Sequence, residues 1–151
     1  MTAAHVAVHD AAIELGSRQV LTGLHLLAQG GLIALLGANG AGKTTLQRCI
    51  ATVISPDTGA VMIDGLSPER EAERIEIRRR LGYLPQEFGF SPSARAFDTV
   101  DHVAVLKGHR DERRRRQLVF DALARVGLDE RAGERVGRLS GGQESEGHGA
   151  D

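Results

Sequence analysis

The chain has 151 residues, of which 41% are apolar, and its 19 Lys and Arg against 20 Asp and Glu give a formal net charge of −1. This length and composition are typical of a globular protein with one core, and the net charge provides no general attraction to nucleic acid. Aromatic residues make up 3% of the chain, which leaves little for stacking on bases. No run approaches the ~20 apolar residues that span a bilayer, and the N-terminus lacks a leader-like pattern. We therefore expect a cytoplasmic protein with no nucleic-acid partner and no direct membrane insertion.

The N-terminal part of the chain predicts short strands. Apolar runs bounded by turn-forming residues favour strands at 6–8, 13–15, 24–27, 32–36 and 61–63. The run 32–36 is apolar throughout, as in a buried parallel strand. His5 and His9 lie four residues apart in a strand-like segment, too far to share a metal ion, so we expect both to face solvent. The single cysteine, Cys49, is expected to be buried and to have no chemical role.

A phosphate-binding motif follows the fourth predicted strand. Residues 37–44 fit G-x-x-x-x-G-K-[ST], and residues 44–53 predict the helix that this motif requires. The glycines let the backbone approach phosphate oxygens at the positive end of the helix. Lys43 would reach the β and γ phosphates, and the Thr44 hydroxyl would bind Mg²⁺. The alternative is a glycine-rich turn with an incidental lysine. The predicted nucleotide-binding residues are Gly37, Asn39, Gly40, Ala41, Gly42, Lys43, Thr44 and Thr45.

Helices dominate the predicted structure beyond residue 66. Ser67 and Pro68 predict the start of a helix that runs to residue 80, followed by a strand at 81–84. Further helices are predicted at 98–106 and 111–126, the second closed by Gly127. The basic run 113–116 could suggest nucleic-acid binding, but the apolar residues just after it favour a solvated helix face.

Two further motifs lie downstream of the phosphate loop. Residues 82–86 form a short apolar strand that ends at Gln86, which by itself is typical of a proline-containing turn. Residues 139–143 read Leu-Ser-Gly-Gly-Gln, which by itself is typical of a flexible loop. The Ser140 hydroxyl and the backbone N–H groups beside Gly141 and Gly142 could nevertheless approach a phosphate.

The three motifs, in this order, resemble the nucleotide-binding domain of ABC transporters. The resemblance implies an α/β P-loop NTPase fold with a partial core sheet and a helical subdomain, and ATP with Mg²⁺ as ligands. Gln86 would be the Q-loop residue that touches Mg²⁺ or the attacking water and couples to the membrane subunit. Ser140, Gly141, Gly142 and Gln143 would be the signature that completes the ATP site of an opposing cassette.

The resemblance also implies partners and domain boundaries. The partners would be a membrane permease and a second cassette, identical or different, with the chain held at the cytoplasmic face of the membrane. Three stretches of sequence are most similar to the cassettes of bacterial ABC-2 type exporters. They are residues 37–46, residues 82–89 and the later Leu106-Lys107-Gly108. The expected divisions are an α/β core at 1–85, the Q-loop, helical subdomain and signature at 86–143, and a polar tail at 144–151.

The chain also departs from the family pattern. The Walker B strand, the glutamate that activates water and the switch histidine are expected after Gln143, where the sequence shows none of them. We therefore expect no hydrolysis by this chain alone, because loss of a general base typically costs about 10²–10⁴ in rate. Residues 32–36 would lack their strand partner, and the chain would be marginally stable or prone to aggregation. Leu15 stands where many cassettes carry an aromatic residue for adenine.

Three functions follow from these features. The first is the ATP-binding subunit of an ABC exporter, coupling ATP binding and hydrolysis to transport. The second is a non-catalytic remnant that binds nucleotide or pairs with an intact cassette. A soluble ABC protein acting on ribosomes or DNA ranks lowest, because the sequence has no second cassette, cysteine cluster or basic domain.

Overall fold

The computed structural model describes residues 5–85 and 89–139. Gln86 and the predicted signature residues Ser140, Gly141, Gly142 and Gln143 lie outside the described residues. The chain divides into two compact units, Met1–Tyr83 and Leu84–Asp151. No helix in the described ranges is long and apolar enough to cross a membrane.

The first unit is built on a three-stranded antiparallel sheet. Its strands are β1 (His5–Leu15), β2 (Arg18–Gln29) and β3 (Thr58–Ile63), in the order β2-β1-β3. The predicted strands at 6–8 and 13–15 are therefore parts of one long strand. Asp10 has a φ of 48°, at a point where the pairing of β1 shifts register with both neighbours. A β-bulge of this kind bends a strand and increases its twist. β1 can thereby pair with both β2 and β3 along its length.

A tight turn ends β3. Asp64 and Gly65 have φ values of 51° and 77°, and the backbone groups of Ile63 and Leu66 exchange hydrogen bonds of 2.9 Å across them. Positive φ at both central residues is typical of the primed turns that close hairpins. The Asp64 carboxylate accepts a 2.8 Å hydrogen bond from the backbone N–H of His5. This contact joins the start of β1 to the turn after β3.

Two helices complete the first unit, α1 (Lys43–Ile50) and α2 (Glu71–Arg80). Burial of Cys49 is confirmed, and this burial raises the pKa of its thiol. After α1, Thr52 has a φ of 59°, and its hydroxyl and carbonyl accept hydrogen bonds of 2.8 and 2.6 Å from the Arg78 guanidinium. The buried core of this unit consists of Val8, Ala11, Ile13, Leu21, Leu46, Cys49, Val61, Ile63 and Ile77.

The second unit is helical, with α3 (Ala96–Leu106), α4 (Glu112–Ala124) and α5 (Val136–Leu139). Both long helices are confirmed, and Asp111 caps α4 by accepting a 2.7 Å hydrogen bond from the backbone N–H of Arg114. Within the basic run 113–116, Arg115 pairs with Asp101 at 2.7 Å and Arg116 stacks over Phe97. The buried core of this unit consists of Ala96, Val119, Leu123 and Ala132.

Two predicted strands and the predicted start of one helix are wrong. Residues 32–36 and 81–84 form no strand, because no described segment hydrogen-bonds to them as a ladder. The helix predicted from Pro68 begins at Glu71 instead, since Ser67 and Pro68 belong to the preceding turn. The backbone N–H of Ser67 donates a 2.7 Å hydrogen bond to the Glu73 carboxylate. A helix side chain therefore bonds the backbone of the turn, and Ser67 is not the cap of the helix.

Candidate functional site

The predicted phosphate loop lies between the segment 32–36 and the start of α1. Gly40 and Gly42 have φ values of 80° and 84°, which favour glycine, and Gly42 is the N-cap of α1. A Cβ on Gly42 would come within 2.6 Å of Leu21 Cδ2 and 3.0 Å of the Val20 carbonyl oxygen. Glycine at residue 42 is therefore required both by its φ and by the close packing of β2 against the loop.

Lys43 closes the loop on itself. Its Nζ donates hydrogen bonds of 2.7 Å to the carbonyl oxygens of Gly37 and Ala38. Within the described ranges, no ion pair links Lys43 to a carboxylate. The ammonium group is thus held inside the loop by neutral carbonyl oxygens. A negatively charged ligand such as a phosphate can replace them.

The start of α1 adds positive potential at the same place. The helix has no acidic residue in its first turn and no side-chain cap at Gly42. The first N–H groups of a helix lack intrahelical partners, and the aligned peptide dipoles favour an anion there. The Leu46 N–H already bonds the Gly42 carbonyl oxygen at 2.8 Å, so the open donors belong to the residues before it.

Two threonines follow Lys43 and have different environments. Thr44 is exposed at the start of α1, where its hydroxyl can serve as an oxygen ligand for Mg²⁺. Thr45 is buried, so any contact it makes to a phosphate would come from its backbone N–H. The described residues contain no group of three metal-binding side chains, and Gln86, the other predicted Mg²⁺ ligand, lies outside them.

The loop borders an open, mainly apolar surface pocket of about 150 Å³. Its lining combines leucines from β2, the segment 32–36 and α1 with the end of the loop. These residues are Leu21, Leu24, Leu35, Leu36, Ala41, Gly42, Lys43 and Leu46.

The structure also brings a residue to the loop that the sequence prediction missed. Arg18, the first residue of β2, places its Nη2 atom 3.4 Å from the position that a Cβ on Gly40 would occupy. Arg18 is far from the loop in the sequence and comes close to it only in the folded chain. No motif spacing could therefore predict this position. Leu15, on the other side of the same hairpin turn, is about half exposed, with 51% of its surface accessible.

Comparison with known proteins identifies the class. The family model described as "ABC transporter" matches residues 24–146. This chain therefore belongs to the ABC transporter family of ATP-binding proteins, and the predicted family is confirmed. Members of this family bind ATP with Mg²⁺ and act as ATPases together with membrane permeases.

Several curated proteins are similar to the chain. The lipoprotein-releasing system ATP-binding protein LolD 1 of Caulobacter vibrioides is 38% identical over 83% of this chain and 55% of its own length. The methionine import ATP-binding protein MetN of Leifsonia xyli is 34% identical over 93% of this chain and 43% of its own length. The macrolide export ATP-binding/permease protein MacB 1/2 of Paracoccus denitrificans is 34% identical over 85% of this chain and 20% of its own length.

Solved structures show the same fold. The dimeric structure of MJ0796, described as a bacterial ABC transporter cassette, superposes with a TM-score of 0.76 at 25% identity, over 91% of this chain and 64% of that one. The predicted α/β cassette fold with a partial sheet is therefore confirmed. The chain spans about half or less of the curated relatives named above.

Proposed function

We propose that this chain is the ATP-binding part of an ABC exporter and holds Mg²⁺–ATP at residues 37–45. The observation that carries the proposal is the Lys43 ammonium, held 2.7 Å from two loop carbonyl oxygens beside an uncapped helix start. Positive groups that are gathered around an open loop without a carboxylate partner suit a polyphosphate.

Binding requires Lys43 to change partners. Its Nζ would leave the carbonyl oxygens of Gly37 and Ala38 and donate to the β and γ phosphate oxygens. Hydrogen bonds between charged partners are roughly twice as strong as neutral ones, so the exchange favours the bound state. Thr44 would hold the Mg²⁺ ion, which neutralises phosphate charge when bound.

The partners and direction of transport belong to the same proposal. Ser140, Gly141, Gly142 and Gln143 would contact the nucleotide of a second cassette, and Gln86 would couple the site to a permease at the cytoplasmic face of the membrane. The similarity of residues 37–46 to exporter cassettes supports export. The relatives themselves include both import and export proteins, so they do not indicate the direction of transport. The support for export comes from the sequence of the motif.

We further propose that the 151-residue chain binds ATP without rapid turnover. No described ion pair or hydrogen bond brings a carboxylate to Lys43 or Thr44, which agrees with a loop that binds the nucleotide and does not itself supply a general base. The same observation favours the second candidate function, a non-catalytic partner of an intact cassette. Pulling down an intact cassette with this chain, with no gain in ATPase activity, would support that candidate.

The binding proposal is tested by Lys43→Ala in the full 151-residue chain. We expect the affinity for Mg²⁺–ATP to fall by about 10-fold or more, because hydrogen bonds to a charged group are each worth about 1.5–3 kcal/mol. Equilibrium dialysis with labelled ATP gives the dissociation constants. Arg113→Ala is the matched control, since it removes one positive charge from an exposed position in the other unit. Equal ATP affinity of Lys43→Ala and the unmodified chain would contradict the proposal.

A further inference from the structure

Arg18 lies beside the phosphate loop although it is not part of the motif. It is the first residue of β2, directly after the turn at Gly16 and Ser17, and its backbone pairs with Leu15 across the hairpin. Its Nη2 atom comes within 3.4 Å of where a Cβ on Gly40 would stand. The guanidinium group therefore lies within van der Waals distance of the loop at Gly40.

The guanidinium group has no structural role that the described residues reveal. The arginine–carboxylate pairs of the described ranges involve Arg70, Arg79, Arg80, Arg115 and Arg131, and none of them involves Arg18. The side chain is exposed, and the hairpin at its base is already fixed by backbone pairing. Because no described carboxylate pairs with it, the positive charge of the guanidinium group is open to an anion at the loop.

Three positive groups therefore meet at one loop. They are the Lys43 ammonium, the uncapped start of α1 and the Arg18 guanidinium. Gly40 lies between Gly37, whose carbonyl oxygen holds Lys43, and Gly42, which starts the helix. A group beside Gly40 thus stands next to the part of the loop that faces phosphate under the proposed function.

We propose that Arg18 is a further nucleotide-binding residue, which donates to phosphate oxygens of the bound nucleotide from the β1–β2 turn. This inference rests on the proposed function of the loop. The planar guanidinium fork can make two parallel hydrogen bonds to one phosphate, which an ammonium group cannot do. Arg18 would raise affinity for nucleotides in proportion to their phosphate charge and would contribute nothing to recognition of the base.

The test compares ATP, ADP, AMP and adenosine as ligands. Dissociation constants are measured by equilibrium dialysis for the unmodified chain, Arg18→Ala, Arg18→Lys and the Arg113→Ala control. We expect Arg18→Ala to weaken ATP binding by about 10-fold or more, to weaken AMP binding less, and to leave adenosine binding unchanged. Arg18→Lys keeps the charge without the fork, so its ATP affinity is expected to lie between those of the unmodified chain and Arg18→Ala. Raising the salt concentration should weaken ATP binding less in Arg18→Ala than in the control.

Two results would overturn the inference. If Arg18→Ala binds ATP as tightly as the control does, Arg18 makes no phosphate contact. If it loses adenosine and ATP affinity to the same extent, Arg18 acts on the base or on the folding of the site.

Lys43→Ala separates this inference from the proposed function. A loss of ATP binding in Lys43→Ala, together with full affinity in Arg18→Ala, removes the Arg18 contact and leaves the loop assignment standing. Absence of ATP binding by the unmodified chain removes both.

Discussion

Two apolar segments of the first unit have opposite fates. Ile63 in β3 is 7% exposed and pairs with Val6 of β1, whereas Leu32 and Leu36 in the segment 32–36 are 100% and 91% exposed. Both segments are short apolar runs that predict strands. The difference is the partner: β3 has a neighbouring strand to hydrogen-bond with, and the segment 32–36 has none among the described residues. An apolar run predicts burial only where another strand satisfies its backbone groups.

This difference changes the free-energy cost that we expect for the unpaired segment 32–36. The sequence suggested buried backbone groups without partners, at about 1–3 kcal/mol each. The structure instead leaves Leu32, Ile33 and Leu36 exposed while Leu35 packs against the core, so most of the segment is open to water. What remains is exposed apolar surface at Leu32 and Leu36, a feature typical of aggregation-prone segments. The expectation of a marginally stable, aggregation-prone chain stays a prediction.

The largest expected effect compares the same substitution in the two segments. Ile63→Ala should lower the free energy of unfolding by about 2–5 kcal/mol, because it leaves a cavity in the buried core. Ile33→Ala removes the same atoms from a side chain that is 51% exposed, so we expect a loss well below that of Ile63→Ala. Urea unfolding followed by circular dichroism measures both values. Equal losses would show that the segment 32–36 is buried in solution.

A smaller effect concerns the glycine that lets β3 lie against the bulge of β1. Gly59 has a φ of 80°, and a Cβ there would overlap the carbonyl groups of His9 and Asp10. Gly65→Ala is the control, because Gly65 has a φ of 77° and open space around it. Both changes carry the φ cost of about 1–2 kcal/mol. Gly59→Ala should lose about 1 kcal/mol or more in addition through overpacking.

These losses are measured in the same urea experiment. If Gly59→Ala proves no more destabilising than Gly65→Ala, the close approach of β3 to the bulge at Asp10 is absent in solution.

The smallest effect is a pH dependence at the connection between β3 and α2. The Glu73 carboxylate accepts hydrogen bonds of 2.8 Å from Arg70 and 2.7 Å from the Ser67 N–H. The Arg70 side chain first, and the Ser67 backbone second, lower the pKa of Glu73. A lowered folded-state pKa stabilises the fold above the unfolded-state pKa, and this stabilisation is lost as the pH falls through the folded-state pKa.

The melting temperature tests this dependence. On acidification from pH 7 to below the ordinary glutamate pKa of 4.5, it should fall further in the unmodified chain than in Glu73→Gln. Glu71→Gln removes the same charge from the same helix turn while keeping both hydrogen bonds, and it should behave like the unmodified chain. An identical pH profile for Glu73→Gln and the unmodified chain would contradict the role of Glu73.

The sequence by itself determined the family, and it predicts the phosphate loop. The spacing of Gly40, Gly42 and Lys43 is local, and positive φ at both glycines follows from a turn that opens directly into a helix. Apolar runs likewise located parts of β1 and β2 and most of β3, and helix patterns located α3 and α4. Gln86 and the signature residues stay predictions, because they lie outside the described residues.

Only the tertiary structure decided the rest. Whether the segment 32–36 becomes a strand depends on a partner that its own residues do not encode, and the position of Arg18 beside Gly40 depends on how β2 packs against the loop. Both outcomes are set by contacts between residues far apart in the chain. Local spacing predicts which residues can bind a phosphate, whereas long-range packing decides which further residues join them.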